Sequence, residues 1–401
     1  MTAGGSVGRA APGGPAAGPP VVIAAPRVVP AVGAAVLAPG YVAFSRGRVT
    51  ELGQGLPPRA ADIRLQSGTL VPGFVDLQVN GYYGTDLSAA DTDGWSAVVR
   101  RLPETGTTAF LPAFVTAPLG HLAASMRGAA ALLPGMPFGA RVLGVHLEGP
   151  FIAPARRGAH NAGWITAATP AAVDELIAAG NGLLRLVTLA PERPGGIAAV
   201  RRFAAAGIAV SVGHSAATGR QVRAAADNGA RMVTHLFNAQ RPLRQREPGV
   251  VGAALADTRI TSSLIADLRH VCAEACVIAV AAAPGRVCIV TDAASCAGMP
   301  PGSYLLGGEP ITAHAGGRPP TRADGTLAGS VLRMDAGVAN LVKVGVGLAE
   351  AVAAASRVPA DAIGRPDLGR IAPGCAADFA WLGDDLMTRA TWIGGRAAYR
   401  G

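Results

Sequence analysis

Residues 208–239 read IAVSVGHSAATGRQVRAAADNGARMVTHLFNA. An apolar run of strand length ends there in glycine and histidine, an Ala-rich segment of helical length follows, and a second apolar run again ends in polar residues. Six more such runs lie between Pro72 and Ala294. In chain order the eight runs are GFVDLQVN, TAFLPAF, ARVLGVHLEG, LLRLVTLAP, IAVSVGHS, RMVTHLFN, ITSSLIAD and RVCIVTDA. Continuous apolar strands alternating with helices favour a parallel sheet, so eight repeats predict an α/β fold, a (β/α)8 TIM-like barrel.

The two chain ends have a different pattern. Residues 1–20 are rich in Ala, Gly and Pro, which predicts disorder. Short β-prone pieces separated by Gly and Pro then run to about Leu70, and similar pieces return in GRIAPGCAADFAWL and TRATWIGGRAAYRG at the carboxyl end. We therefore expect a small β-sandwich domain made of residues 21–71 and 366–401, with the barrel formed by residues 72–365.

Composition excludes several classes of protein. Of the 401 residues, 50% are apolar and 15% are charged, which excludes a disordered chain. The net charge of +9 comes from scattered arginines, and only 4% of the residues are aromatic. We therefore expect an anionic small molecule as the partner, and we do not expect nucleic acid. No signal peptide and no apolar run long enough to span a membrane is recognisable, so we expect a cytoplasmic protein without a membrane partner.

The polar residues that close the apolar runs are the candidates for chemistry, because such barrels carry their sites at the carboxyl ends of the strands. They are Gln78, Asn80, Glu148, His214, His235, Asn238, Asp267, His270 and Asp292. A single histidine at a strand end is most often a structural residue. Two histidines and two carboxylates, each at the end of a different strand, are hard to explain as structural residues. Glu148, His214 and His235 are a suitable ligand set for a divalent metal. Asp292 is then the candidate general base, and later the acid for a leaving amine.

Several motifs occur in a recognisable order. They are LVPGFVDLQVNG, HLEGPFI, VGHSAAT, THLFNA, REPG, IADLRH, VTDA and GTLAGS. From about Gly68 to Ala380 the chain resembles the amidohydrolase superfamily and, within it, the N-acetylglucosamine-6-phosphate deacetylase family. Most amidohydrolases carry His-x-His in the first motif, whereas this chain, like the deacetylases, carries Gln78 and Asn80. Since an amide is a poor metal ligand, the resemblance implies one catalytic metal and not a bridged pair.

The resemblance also implies a role for each site residue. Glu148, His214 and His235 are the implied metal ligands, and Asp292 is the implied acid/base. The implied substrate-binding residues are Gln78, Asn80, Ala159, His160, Asn238, Ala239, Arg246, His270, Leu327, Ala328 and Gly329. Arg246 and His270 match a phosphate-contacting pair in which the arginine reaches the neighbouring subunit, which implies a homodimer.

The implied activity is hydrolysis of the N-acetyl group of N-acetylglucosamine 6-phosphate to glucosamine 6-phosphate and acetate. Its cofactor is one divalent metal ion per subunit, with zinc or iron expected and manganese or cobalt left open. Another amidohydrolase reaction on a different acylated amine or amide stays open, as does an inactive barrel used as a binding protein. One departure from the family is Gln240-Arg241 in place of Met-Pro, which predicts a more polar wall beside the sugar.

Overall fold

The computed structural model describes residues 19–33 and 35–401. The disorder predicted for residues 1–20 falls almost wholly on residues 1–18, which lie outside the described residues. Within the described part of the chain, no helix is both long and apolar enough to cross a membrane.

A parallel barrel forms the larger part of the structure, and one of its strands lies at each of the eight predicted runs. These strands are Phe74–Val79, Thr107–Val115, Arg141–Val142 with Val145–Glu148, Leu184–Leu189, Ala209–Val212, Met232–Val233, Thr261–Leu264 and Val287–Ile289. The strands pair in parallel from one to the next. A parallel bridge between Val79 and Ala293 joins the first strand to the end of the last. The predicted barrel is therefore confirmed.

Helices cover the outside of the barrel. Those between strands are Thr92–Arg101, Leu119–Leu132, Pro170–Gly180, Gly196–Ala205, Gly219–Asp227, Gly249–Ala256 and Ala273–Ala282, and Met334–Lys343, Leu348–Ala355 and Arg357–Ala362 follow the last strand. Short 3-10 helices occur at Leu102–Thr105, Leu133–Gly135, Pro154–Arg156 and Ala162–Trp164. Local sequence determines where the helix Gly219–Asp227 begins. Thr218 and Gln221 form a capping box before it, so that the helix begins directly after a site loop.

Two of the small sheets outside the barrel pack against each other. One contains Arg48–Gln54, Gly40–Ser45, Val21–Ala25 and Ile63–Arg64, and the other contains Arg27–Val28, Thr69–Pro72, Phe379–Leu382, Thr388–Ile393 and Arg396–Arg400. They share one apolar core, in which the Phe44 and Phe379 rings lie 5.5 Å apart. The expected pairing of the two chain ends is confirmed, because Phe379–Leu382 lies antiparallel to Thr69–Pro72. The boundaries 21–71, 72–365 and 366–401 stay predictions.

Two further features lie at the barrel mouth and directly below it. A hairpin of Gly302–Leu306 and Glu309–Ala313 contributes to the wall of the cavity described below. Below the mouth, His146 lies between the Leu77 carbonyl, 3.1 Å from Nδ1, and the Thr188 hydroxyl, 2.8 Å from Nε2. Burial lowers the pKa of His146 to about 4, so the imidazole is neutral. It is a buried, hydrogen-bonded polar residue beneath the site.

Candidate active site

A cavity of about 360 Å³ opens at the carboxyl ends of the barrel strands. Twelve of the predicted site residues line it: Asn80, Glu148, Ala159, His160, His214, His235, Asn238, Ala239, His270, Asp292, Leu327 and Gly329. The wall also includes residues that the sequence did not single out, among them Thr116, Arg156, Asn161, Trp164, Glu309 and Arg322. Most of the predicted site is thus brought together in one place.

Three of the strand-end residues that line the cavity have a strained backbone. The φ angles of His214, His235 and Asp292 are 45°, 31° and 50°, in the left-handed region that residues other than glycine rarely adopt. Each follows the end of a barrel strand by two or three residues. Such strain costs about 1–3 kcal/mol per residue and persists where surrounding structure fixes the backbone, as it commonly does at functional sites.

The floor of the cavity is a close cluster of one carboxylate and two imidazoles. The Glu148 Oε1 atom lies 2.9 Å from His235 Nε2 and 3.2 Å from His214 Nε2, and the two Nε2 atoms are 3.1 Å apart. All three side chains are buried. Burial alone would raise the pKa of Glu148, but contacts with the His214 and His235 imidazoles outweigh it and hold the pKa well below its ordinary value.

This donor set fits a metal ion. The Nδ1 atom of His214 lies 2.9 Å from the Arg156 carbonyl oxygen, which can only accept a hydrogen bond, so Nδ1 carries the proton and Nε2 offers its lone pair. That lone pair faces the Glu148 carboxylate and the second imidazole. A cation held among electron-rich atoms this close together stabilises them, and a backbone carbonyl behind a ligating histidine is a common support. The chemistry of the cluster therefore supports a metal cofactor.

His160 also lies in this cluster. Glu148, His160 and His214 each offer a potential ligand atom within 4.8 Å of the others. However, His160 Nδ1 accepts a hydrogen bond from the Thr116 backbone N–H at 3.3 Å, and the Thr116 hydroxyl lies 2.8 Å away. Burial and the nearby His214 lower the pKa of His160 to about 3, so the imidazole is neutral and its proton sits on Nε2. His160 thus presents a hydrogen-bond donor to the cavity, where a ligand would present a lone pair.

Asp292 lies beside the cluster with one oxygen held in place. Its Oδ1 atom accepts hydrogen bonds from Asn80 Nδ2 at 2.8 Å and from Gln78 Nε2 at 3.0 Å. No hydrogen bond from the described residues reaches Oδ2. Burial, and then the negative charge of Glu148, raise the pKa of Asp292 to about 6. A carboxyl group with a pKa near neutrality is suited both to accept and to return a proton.

Gln78 lies behind the cluster and does not line the cavity. It is buried, and its Nε2 group donates to Glu148 Oε1 at 2.9 Å as well as to Asp292. Its geometry is that of a residue that fixes two carboxylates relative to each other.

The remaining predicted residues differ in position. His270 lines the cavity, and its Nδ1 atom lies 2.7 Å from Asp267 Oδ2, which orients the ring. Leu327 and Gly329 line the cavity, whereas Ala328 between them is buried in an apolar cluster behind the wall. Arg246 is exposed and lies outside the cavity of its own chain.

Gln240 and Arg241, which replace the family's usual pair, do not line the cavity. The Gln240 amide donates to the Thr234 carbonyl at 2.6 Å, and the Arg241 Nε group donates to the Ala216 carbonyl at 2.6 Å. The more polar cavity wall expected from this pair is therefore not found, because both side chains bind backbone carbonyls of neighbouring loops and neither reaches the cavity.

A chain of polar contacts that the sequence did not predict closes one side of the wall. Arg322 donates to the Ala159 carbonyl and pairs with Glu309, whose other oxygen accepts from Asn161 Nδ2 at 2.9 Å. The contact of Arg322 with Ala159 and that of Asn161 with Glu309 join residues 163 and 148 positions apart, so no local signal could have found them. Thr116 is different, because it directly follows a barrel strand and a complete survey of strand ends would have included it.

Comparison with known proteins agrees with this geometry. The model of the amidohydrolase family matches residues 69–398. An N-acetylgalactosamine-6-phosphate deacetylase from Escherichia coli O157:H7 is 39% identical over 82% of this chain and 87% of its own length, and an N-acetylglucosamine-6-phosphate deacetylase from Danio rerio is 38% identical over 82% and 84%. The structure of the Mycobacterium smegmatis N-acetyl-D-glucosamine-6-phosphate deacetylase in complex with N-acetyl-D-glucosamine-6-phosphate superposes with a TM-score of 0.90 at 34% identity, covering 95% of this chain and all of that one. This chain therefore belongs to the amidohydrolase family and, within it, to the family of the N-acetylglucosamine-6-phosphate deacetylases.

Proposed function

We propose that this protein hydrolyses the N-acetyl group of N-acetylglucosamine 6-phosphate, giving glucosamine 6-phosphate and acetate. The observation that carries the proposal is the convergence of Glu148, His214 and His235 beside Asp292 in one cavity. An inactive barrel used for binding would be expected to have lost a ligand or the base, whereas all four are present here.

Glu148, His214 and His235 would hold one divalent ion, with zinc or iron expected and manganese or cobalt also suited to these ligands. When bound, such an ion supplies a Lewis acid that polarises an amide carbonyl and lowers the pKa of water. The Arg156 carbonyl leaves the His214 Nε2 lone pair free, whereas the Thr116 N–H leaves His160 with a proton on Nε2, and both tautomers favour this ligand set over one that includes His160. A single ion is expected, because Gln78 and Asn80 offer amides where a second ion would need stronger ligands.

Asp292 would act as general base towards water and then as general acid towards the leaving nitrogen. Gln78 and Asn80 occupy Oδ1, so proton transfer is assigned to Oδ2. Its raised pKa makes the carboxylate a stronger base towards water, and it lets the group hold the proton near neutral pH until the proton passes to the nitrogen. One carboxyl group can therefore serve both halves of the reaction.

His160 would stabilise the negative charge that develops on the carbonyl oxygen. Its Nε2–H is the free donor of a neutral ring, and Nε2 lies 3.7 Å from Glu148 Oε2, next to the proposed metal ligands. A donor fixed where charge develops lowers the barrier without reorganising during the reaction. Asn238, Ala239, Ala159, Leu327 and Gly329 would form the surrounding sugar site.

His270 would contact the phosphate together with Arg246 of a neighbouring subunit. Arg246 is exposed in its own chain, which is compatible with a role in a second active site. We therefore propose a homodimer. We also propose a cytoplasmic location, where phosphorylated sugars are produced and where free cysteines such as the five of this chain persist.

The 4-epimer, N-acetylgalactosamine 6-phosphate, is the second candidate substrate. It is favoured by one specific observation, the 39% identity to the Escherichia coli N-acetylgalactosamine-6-phosphate deacetylase. The two sugars differ only in the orientation of one hydroxyl group, so the same cavity and the same chemistry would serve either.

The test is acetate release from both phosphorylated sugars and from N-acetylglucosamine, with and without a chelator, on samples of known metal content. We expect fast, chelator-sensitive release from at least one phosphorylated sugar, with roughly one ion per chain. A metal-loaded protein that released no acetate from any of the three would refute the proposed function and leave the fold and the metal cluster intact.

A further inference from the structure

The cavity wall contains two arginines, and only one of them is paired. The Arg322 guanidinium is occupied by Glu309 and by the Ala159 carbonyl. Arg156 lines the same cavity and is half-buried, yet no described residue forms an ion pair or a hydrogen bond with its guanidinium. Since a half-buried cation without a partner is costly, an unpaired arginine in a cavity indicates a place for an anionic ligand.

The backbone of Arg156 is held firmly beside the proposed metal cluster. The Ala153 N–H donates to the His214 carbonyl at 2.9 Å, and His214 Nδ1 donates to the Arg156 carbonyl at 2.9 Å. The short 3-10 helix Pro154–Arg156 lies between these two anchors. The position of the Arg156 backbone relative to the cluster is thus fixed at two points, which a substrate-binding side chain requires.

The neighbouring Arg157 shows that an unpaired guanidinium is not a general feature of the loop. The Arg157 guanidinium donates to the carbonyl oxygens of His160, at 3.1 Å, and of Gly158, at 3.5 Å. Arg157 does not line the cavity. Of two adjacent arginines, one therefore stabilises the loop, and the other presents an unused guanidinium to the cavity.

We infer that Arg156 is a phosphate contact supplied by the active site's own chain, in addition to His270 and to Arg246 of a neighbouring subunit. This inference rests on the proposed function, since it assigns the anion to the 6-phosphate of the substrate. A guanidinium binds two oxygens of a phosphate monoester at once, and an ammonium group does so less well. The preference for a phosphorylated sugar would then depend partly on the chain that carries out the chemistry.

The experiment compares Arg156→Gln and Arg156→Lys with two controls, Arg157→Gln in the same loop and the remote, exposed Arg64→Gln. For each protein, kcat and KM are measured with the phosphorylated and the unphosphorylated sugar. In Arg156→Gln the ratio of kcat/KM between the two sugars should fall about tenfold or more, mainly through KM, because a charged hydrogen bond is lost. Arg156→Lys should lie between Arg156→Gln and the wild type. Any loss in Arg157→Gln should be equal for both sugars.

A second readout does not depend on turnover. The rise in melting temperature produced by glucosamine 6-phosphate, relative to that produced by glucosamine, is measured for the same variants. We expect the difference between the two ligands to shrink in Arg156→Gln and to persist in both controls. A full wild-type difference in Arg156→Gln, or an equal loss of kcat/KM for both sugars, overturns the inference. If the wild type releases no acetate, the proposed function fails, and the melting shifts still decide whether Arg156 binds phosphate.

Discussion

The floor and the wall of the cavity are built in different ways. The floor consists of Glu148, His214, His235 and Asp292, which are buried at strand ends. Gln78 lies behind them, and contacts of 2.9–3.2 Å join the five residues. The wall on one side depends on an ion pair between Arg322 and Glu309, whose side chains are 21% and 23% exposed. Buried charges interact strongly and tolerate little change, whereas exposed pairs contribute at most about 1 kcal/mol.

This difference separates the residues proposed for the chemistry from those proposed to recognise the substrate. The floor holds the groups proposed for the chemistry in fixed, buried positions. The wall comes from loops and a hairpin that approach each other from distant parts of the chain, and its contacts are partly solvated. Substitutions in the floor should therefore act on turnover or on metal binding, and substitutions in the wall should act on substrate affinity.

The largest effect is expected for Asp292→Asn. An amide cannot take up the proton, so kcat should fall by about 10²- to 10⁴-fold, the usual contribution of general acid–base catalysis. Metal content should stay at the wild-type level, because Asp292 is not among the proposed ligands. Near wild-type acetate release from this variant would refute the mechanism.

Alanine substitutions of the three histidines should separate ligands from donors. His214→Ala and His235→Ala should lose most of the bound metal, whereas His160→Ala should keep it and lose about 10²- to 10³-fold in kcat, as for a lost oxyanion donor. Metal content is measured by elemental analysis alongside kcat. If His160→Ala raised KM and left kcat unchanged, His160 would be a binding residue only; if it lost the metal, it would be a ligand.

Gln78→Met tests the support beneath the floor. The substitution keeps the side-chain volume and removes the donor shared by Glu148 and Asp292, so we expect a loss of about 10- to 100-fold in kcat with little change in KM. The control is Asp76→Asn, which alters the same strand one layer deeper. A kcat within twofold of the wild type in Gln78→Met would show that the bridge between the carboxylates is not needed for turnover.

Arg322→Gln tests the wall. Loss of the contacts to Glu309 and to the Ala159 carbonyl should raise KM by a few-fold and leave kcat close to its original value, since the pair is partly exposed. Glu309→Gln should have a similar effect, and the double variant should be no worse than either single one if the two residues act as a pair. A drop in kcat with unchanged KM would place these residues in the chemistry.

The smallest effect concerns stability and pH. Burial raises the pKa of Asp76 to about 7 in the folded protein, while in the unfolded chain it stays near its ordinary value of 3.8. The protonated group therefore contributes stability that is fully present below about pH 4 and is lost as the pH rises through about 7. Asp76→Asn should remove this trend, making the free energy of unfolding less steep against pH by at most about 1.4 kcal/mol per pH unit. Denaturant unfolding of both proteins between pH 4 and 8 measures it, and parallel curves would contradict it.

The strands and the residues at their ends could be predicted from the sequence because both are local properties. An apolar run buried on both faces is visible in the letters alone, and a polar residue that closes it must lie at the barrel mouth. Strand-end position, combined with the ligand and acid/base chemistry of carboxylates and imidazoles, is enough to single out Glu148, His214, His235 and Asp292. The resemblance to a family then added residues such as His160 and Leu327, whose places in loops carry no periodic signal.

Other features needed the tertiary structure. The contact between Arg322 and the Ala159 carbonyl joins residues 163 positions apart, and no sequence pattern indicates it. The same holds for the tautomers of His214 and His160, which are set by a carbonyl oxygen and by a backbone N–H from distant loops.

The sequence by itself thus determined the barrel, the ends of its strands and the four groups proposed for the chemistry, since hydrophobic periodicity and strand order follow from neighbouring residues. Only the tertiary structure decided which histidine offers a lone pair and which a proton, that Gln78 lies behind the cavity, and that Arg156 has no partner among the described residues. These properties depend on distances between residues far apart in the chain, and such distances exist only once the chain has folded.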